Sequence, residues 1–391
     1  MGRPVRIYLD YNATSPLSTG VIDAISRAMR EDFGNPSSIH AYGQRAKAAL
    51  DQARSDVAAL IGADSMEIVF TSGGTEADNL ALRGAFDTLA PSGRRRIVTS
   101  GIEHEAVLNT VKALAARGAD VVTLPAQRSG IIDPAGVEAA ADKETAVISI
   151  MLANNEIGTI QPVADIAART RASGALLHTD AVQAGGKIPV SVKDLGVDLL
   201  SLSAHKFGGP KGVGAIWIRK GVRLTSQATG GRQERNRRGG TENVPGIVGM
   251  GVAARLARES MASAASIAAL RDRLENGILT AVQGTSVNGA RDARVPNTTN
   301  ISFDGLEAES LLIALDLEGV AVSTGSACSS GTLEPSHVLK AMGLPQAFAR
   351  NSLRFSLGPS TTAADIDFVV GVLPRLVTKL RQLGRTAEAL R

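Results

Sequence analysis

Four short stretches carry residue types suited to chemistry. In TSGGTEADN, residues 71–79, a β-rich run ends in Gly73, Gly74 and Thr75 and a helical pattern begins. Glycines let backbone N–H groups approach an anion, and a helix N-terminus adds the positive end of its dipole. The stretch reads as a phosphate cradle or, equally well, as a tight turn with a threonine cap. It lacks the lysine of a P-loop and the glycine spacing of a dinucleotide fingerprint. In GALLHTDAVQ, residues 174–183, an apolar strand ends on His178, Thr179 and Asp180. An acid at a strand's carboxyl end can meet a ligand in an open α/β sheet, or simply cap a helix. SLSAHKFGGPKGVG, residues 201–214, sets Ser203, His205 and Lys206 after another apolar strand. A partly desolvated lysine can form a Schiff base, although most lysines before a glycine-rich turn are solvated. STGSACSSG, residues 323–331, holds Cys328, the only cysteine in the chain. A lone cysteine is by default a small buried hydrophobe, but the surrounding Gly, Ser and Thr argue for an exposed loop.

Taken together, the first three stretches match in kind what pyridoxal phosphate requires: a Schiff-base lysine, an anionic partner for the pyridinium nitrogen and a phosphate site.

These residues need a scaffold that brings them together. Between about residues 60 and 220, EIVFT, RRIVTS, DVVTL, TAVISIML, GALLHTD, DLLSLS and VGAIWIR are strand candidates, several apolar enough to be buried on both faces. Segments with apolar residues at helical spacing lie between them. Alternating strands and helices predict an α/β fold with a mostly parallel sheet flanked by helices. One long helical stretch follows from about 245 to 282. NTTNISF, a helix near 308–318, VAVST, NSLRFSL and a final helix from about 362 then suggest a small α+β C-terminal domain. The expected division is an N-terminal segment 1–15 joining the small domain, a large domain 16–259, and a small domain 260–391 carrying the cysteine loop.

Composition narrows the function. With 44% hydrophobic and 20% charged residues the chain is expected to be a soluble globular protein. A formal charge of +4 from 42 basic and 38 acidic residues predicts no nucleic-acid partner. The densest basic run, RQERNRRGG at 232–240, lacks the interleaved aromatics of a base-stacking surface. One cysteine forms no intrachain disulfide, the N-terminus turns polar too early for a signal peptide, and no apolar run reaches membrane-spanning length. A cytoplasmic protein without membrane contact is expected.

The motifs also resemble, in order and over nearly the whole chain, those of the cysteine desulfurases of the fold-type I, class V aminotransferase family. The resemblance runs from YLDYNATSP and FGNPSSIHAYG through TSGGTEADNLAL, EHEAV, NNEIGTIQP, HTDAVQ, SAHKFGGPKGVG and RRGGTENV to GSACSSGTLEPSHVL and RFSLG. GSACSSG resembles the group with a long mobile cysteine loop, and GTLEPSHVLKAMG the nitrogen-fixation type. Departures are mild: Gly74 and Ser329 stand where relatives often carry Ala and Thr.

The resemblance implies that Lys206 bears the cofactor, Asp180 pairs with the pyridinium nitrogen, His104 stacks on the ring and moves protons, and Gln183 bonds the phenolic oxygen. It further implies that Thr75, Ser203 and His205 bind the phosphate, joined by Thr241 from the neighbouring subunit of a homodimer, and that Gly74 and Glu76 also contact the cofactor. Asn155 and Arg354 would hold the substrate carboxylate, with Asn155 also touching the cofactor. Cys328 would be the nucleophile that takes sulfur from L-cysteine as a persulfide, leaving L-alanine. The sulfur would pass to an iron–sulfur scaffold or another thiol-bearing acceptor. No resident metal is implied, since a cluster usually takes four thiolates and Cys328 could ligate one only with a partner.

Overall fold

A computed structural model of the chain describes residues 6–324 and 335–389. Its strands begin with β1 (Ile7–Tyr8), β2 (Ile68–Thr71), β3 (Arg96–Ser100) and β4 (Asp120–Leu124). They continue with β5 (Thr145–Ser149), β6 (Leu176–Asp180), β7 (Leu199–Ser203) and β8 (Gly214–Ile218). All seven strand candidates form, and they join in one sheet of order β2-β8-β7-β6-β5-β3-β4. Only β8 runs against its neighbours β2 and β7; the other pairings are parallel. Every residue of β5, β7 and β8 is buried, as the unbroken apolar runs require of strands covered on both faces.

Helix Ala41–Leu60 lies against helix Val244–Glu259. Their approach is close enough that a Cβ on Gly251 would stand 2.6 Å from the Cα of Ala53. Glycine is therefore what the packing admits at that crossing. The single helix expected over 245–282 is instead two, Val244–Glu259 and Ala264–Ala281, separated by a 3₁₀ turn at Ser260–Ser263. Ser260 Oγ donates to the Ala257 carbonyl at 3.1 Å, a local bond that competes with the regular ladder.

Beyond it come β9 (Thr285–Asn288), β10 (Thr298–Phe303), β11 (Val320–Ala321) and β12 (Ser352–Ser356). A second, antiparallel sheet has the order β12-β10-β9. VAVST gives only the two residues of β11, which pair in parallel with β1 rather than joining this sheet. Ile7 and Leu9 thereby pack with Ile301, Phe303, Phe355 and Leu373 in a hydrophobic cluster of their own. From there residues 10–15 run back to the large sheet.

The winding of that sheet reverses between β3 and β5, because β4 lies on one side of β3 and β5 on the other. Ligands of open α/β sheets bind beyond the strands' carboxyl ends at such a reversal. Among the described residues no helix is long and apolar enough to cross a membrane.

Candidate active site

The carboxyl ends of five strands converge on one cavity of ≈ 380 Å³. β2 delivers Gly74 and Thr75, β3 His104, β5 Met151 and Asn155, β6 Asp180 and Gln183, and β7 Ser203, His205 and Lys206. Arg354 of β12 and Ser323 close it from the small sheet's side, and Asn12 and Ala13 from the N-terminal segment.

Lys206 ends a short 3₁₀ turn after β7. Its amine donates to the carbonyls of Asn12 and Ala13 at 2.7 and 2.8 Å. Burial and the charge of Arg354 lower it to about 8, against the pull of Asp180 and Asp10. Asp180 is buried and accepts from the Val182 N–H at 2.9 Å. Burial raises its carboxyl, opposed by His104 and Lys206. His104 caps helix Glu105–Ala115, its Nδ1 accepting from the Ala106 N–H at 3.1 Å. A ring nitrogen that accepts from a backbone N–H cannot carry the proton of the neutral imidazole, so that proton sits on Nε2. His104 is thus both the helix-start residue and a residue of the cavity.

The helix Gly74–Leu89 opens at the cavity without a side-chain cap, so its first N–H groups are left for a ligand. A Cβ on Gly74 would stand 2.9 Å from Val182 Cγ2 and 3.4 Å from Ser203 Cβ, filling this cradle. His205 Nδ1 pairs with Thr14 Oγ1 at 3.2 Å, and burial with the nearby Lys206 and Lys211 charges pushes the imidazole down to about 4. It is therefore a neutral hydrogen-bonding group at ordinary pH. Arg354 donates to Asp10 and to the Asn155 carbonyl.

Two expected cofactor residues lie apart from this cavity. Glu76 turns its carboxylate to Arg238 at 2.8 Å and to the Ser72 N–H at 2.7 Å. Thr241 lines a separate cleft with Thr71, Ser72, Glu234 and Arg238. Cys328 lies outside the described residues.

Other residues at or beside the site were given no role from sequence. Asn12 is fully buried and bonds both sheets' elements through Asn155, Gln183, Lys187, Lys206, Asn297 and Thr298. Asp78, one turn into the cradle helix, is buried, lines the cavity and is raised well above the ordinary carboxylate range by burial and by Asp180. Glu103 is buried beside it, and His178 is held neutral between Ser149 Oγ and Ser201 Oγ, both at 2.9 Å. Burial pushes that imidazole down to about 3. TEADN and EHEAV contain two of these acids, but their burial was the missing signal.

The arrangement fits pyridoxal phosphate. An amine of depressed basicity faces a buried carboxyl across a glycine-floored cradle. Asn155 Oδ1 and Arg354 Nε are buried with no hydrogen-bond partner among the described residues, as suits a cavity built for a polar ligand.

Comparison with known proteins places the chain in a family that uses this cofactor. The class-V aminotransferase family model matches residues 7–369. A cysteine desulfurase of Dictyoglomus turgidum is 48% identical over 97% of this chain and 96% of its own length. One of Methanosarcina thermophila is 48% identical over 97% of this chain and 93% of its own. A solved NifS-like protein superposes with a TM-score of 0.90 at 38% identity, covering 96% of this chain and all of that one. A structure of SspA in complex with cysteine gives 0.80 at 37% identity, covering 91% and 100%. Matched in this way over most of its length, the chain belongs to the class-V aminotransferase family and, within it, to the cysteine desulfurases, whose cofactor is pyridoxal 5′-phosphate.

Proposed function

We propose that this protein converts L-cysteine to L-alanine and keeps the sulfur as a persulfide on Cys328. The observation that carries the reading is the meeting of Lys206, Asp180 and His104 with Arg354 in one cavity. Lys206 would hold the cofactor, Asp180 the pyridinium nitrogen and Gln183 the phenolic oxygen. Gly74, Thr75, Ser203 and His205 would hold the phosphate. The bound cofactor supplies a sink for negative charge at the substrate's Cα.

Arg354, with Asn155 beside it, binds the substrate carboxylate and so fixes the Cα. The Lys206 amine, poised near neutral pH, accepts the Cα proton. His104 carries an Nε2 proton at the cavity wall. Cys328, as thiolate, attacks the substrate sulfur: an S–S bond forms as the C–S bond breaks, its electron pair stays with carbon, and a proton at that carbon gives alanine. Cys328 is five residues along the chain from Ser323, which lines the cavity. That length of chain can span roughly 17 Å, enough to bring the thiol to the substrate.

The same reading includes a homodimer in which Thr241 completes the neighbouring subunit's phosphate site, with Glu76 holding Arg238 in the same cleft. Arg237 Nη1 and Glu242 Oε2 are buried without partners among the described residues on either side of Thr241. Phe33 and Tyr42, whose ring centres lie 5.2 Å apart, are exposed beside Ile39. A second copy of the chain would cover such a surface. The persulfide then passes to an iron–sulfur scaffold or another thiol-bearing acceptor. A reduced thiol suits a reducing compartment such as the cytoplasm.

The test compares wild type with Cys328→Ala for yellow colour and for sulfide and alanine release from L-cysteine with a reductant. Two yellow proteins of which only wild type releases sulfide support the reading; equal release sinks the role of Cys328. Sedimentation of an active monomer would remove Thr241 from the site.

A further inference from the structure

Lys187 lies four residues beyond Gln183 in the turn after β6. Its amine donates to Gln183 Oε1 at 2.5 Å and to Asn12 Oδ1 at 2.8 Å. Burial and the charges of Lys206 and Arg354 push this amine well below the ordinary lysine range, yet in either protonation state it has enough N–H groups to donate to both oxygens. The opposite ends of the two amides meet groups that only accept. Gln183 Nε2 donates to the Asn12 carbonyl at 3.0 Å, and Asn12 Nδ2 donates to the Asn155 carbonyl at 3.1 Å. Each amide thus has a single allowed orientation, which coordinates alone seldom establish. The Asn12 carbonyl that receives Gln183 also receives the Lys206 amine, at 2.7 Å. Gln183 lines the cavity, and with its oxygen on Lys187 the group it has left to offer is its second Nε2–H.

We propose that Lys187 is a positioning residue: it locks Gln183 so that an N–H, not an oxygen, faces the cofactor ring, and it locks Asn12 so that its carbonyl holds Lys206. The assignment rests on the pyridoxal phosphate reading of the cavity. The titratable and charged groups around Lys206 are Arg354, Asp180, Asp10 and Lys187, whose amine burial pushes well below the ordinary lysine range, with His104 facing Asp180. A donor to the ring oxygen, held in place by Lys187, disfavours protonation of the Schiff-base nitrogen. Loss of Lys187 should therefore raise the pH midpoint of the cofactor's visible band.

The experiment titrates that band in holoenzyme for wild type, Lys187→Met, Lys187→Gln, Gln183→Leu and the Gln183→Leu, Lys187→Met pair. Lys187→Met is expected to raise the midpoint by about one unit, the scale of one hydrogen bond to a charged group. Lys187→Gln, neutral but still a donor, is expected to stay near wild type. In the Gln183→Leu background Lys187→Met should add little, because the two act as a unit. An equal shift in both backgrounds, or a shift of about one unit in Lys187→Gln, would mean that Lys187 acts by charge alone and overturn the proposal. If Lys187→Met does not fold, the midpoint of Lys187→Gln decides. A wild type that takes up no cofactor defeats the reading of the cavity instead, so the two failures are distinct.

Discussion

Arg354 Nη2 lies 2.7 Å from Asp10 Oδ1, while its Nη1 donates to the Asn155 carbonyl at 3.0 Å. The guanidinium is therefore fixed by one charge and one backbone oxygen before any substrate arrives. A planar fork can serve both and still offer N–H groups to a carboxylate, whereas an ammonium on a flexible stem cannot. Arg354→Lys is expected to raise KM for L-cysteine about tenfold or more with a smaller change in kcat, the pattern of lost uniform binding. Steady-state kinetics over a wide cysteine range checks this. An unchanged KM would remove Arg354 from carboxylate binding.

Lys206 offers a pH signature in the cofactor-free protein. Only an unprotonated amine attacks the carbonyl of pyridoxal phosphate. Burial and Arg354 lower this amine to about 8, so the reactive fraction grows as pH rises through that value. Stopped-flow uptake of the cofactor should accelerate across this window and level off above it. A rate still climbing toward the ordinary lysine range would show that the cavity does not depress the amine.

Much of this site was legible because local patterns carried it. Lys206, Asp180, His104 and Thr75 each follow an apolar strand, and a parallel sheet places such strand ends side by side. Asn12 had no comparable signature: its partners Asn155, Gln183, Lys206 and Thr298 lie far along the chain. Lys187 reads as an ordinary lysine near a proline until the fold encloses its amine. The turn at Ser260–Ser263 was hidden for another reason. Residues Glu259, Ser260, Ser263 and Ala264 keep right-handed helical dihedrals, so the break is slight, and its local cause is a serine bonding back to its own helix within an otherwise helical pattern. The pairing of Glu76 with Arg238 was hidden because the two lie far apart along the chain.

The strand that leads to Gly74 and Thr75 is held by a buried ion pair. Arg54 binds both oxygens of Glu234 at 2.7 Å, and Glu234 Oε2 also accepts from the Phe70 N–H of β2 at 3.0 Å. Glu234 adopts this position with φ of 45°, and Arg235 and Asn236 follow it into the left-handed region. Such backbone persists in non-glycine residues only where other contacts demand it. Removing one partner leaves the other as an uncompensated buried charge, so Glu234→Ala should cost about 3–5 kcal/mol. Urea unfolding measures it. A loss below about 1 kcal/mol, the scale of an exposed pair, would show that the pair does not anchor this segment.

Glu103 supplies the reverse kind of pH dependence. Burial raises its carboxyl to about 8, although Ser100 Oγ and the Met151 N–H bond to it and favour the charged form. In the unfolded chain the group titrates near 4.5. Between those values the native state keeps a proton that the unfolded state has released, so this residue's contribution to stability falls as pH rises. Glu103→Gln removes the titration while keeping an acceptor for Ser100. The melting temperature of wild type relative to Glu103→Gln should therefore decline steadily from about pH 5 to about pH 8. A pH-independent difference would mean that Glu103 is ionised in the native protein, and that Asp180 then has a second negative charge beside it in the same buried wall.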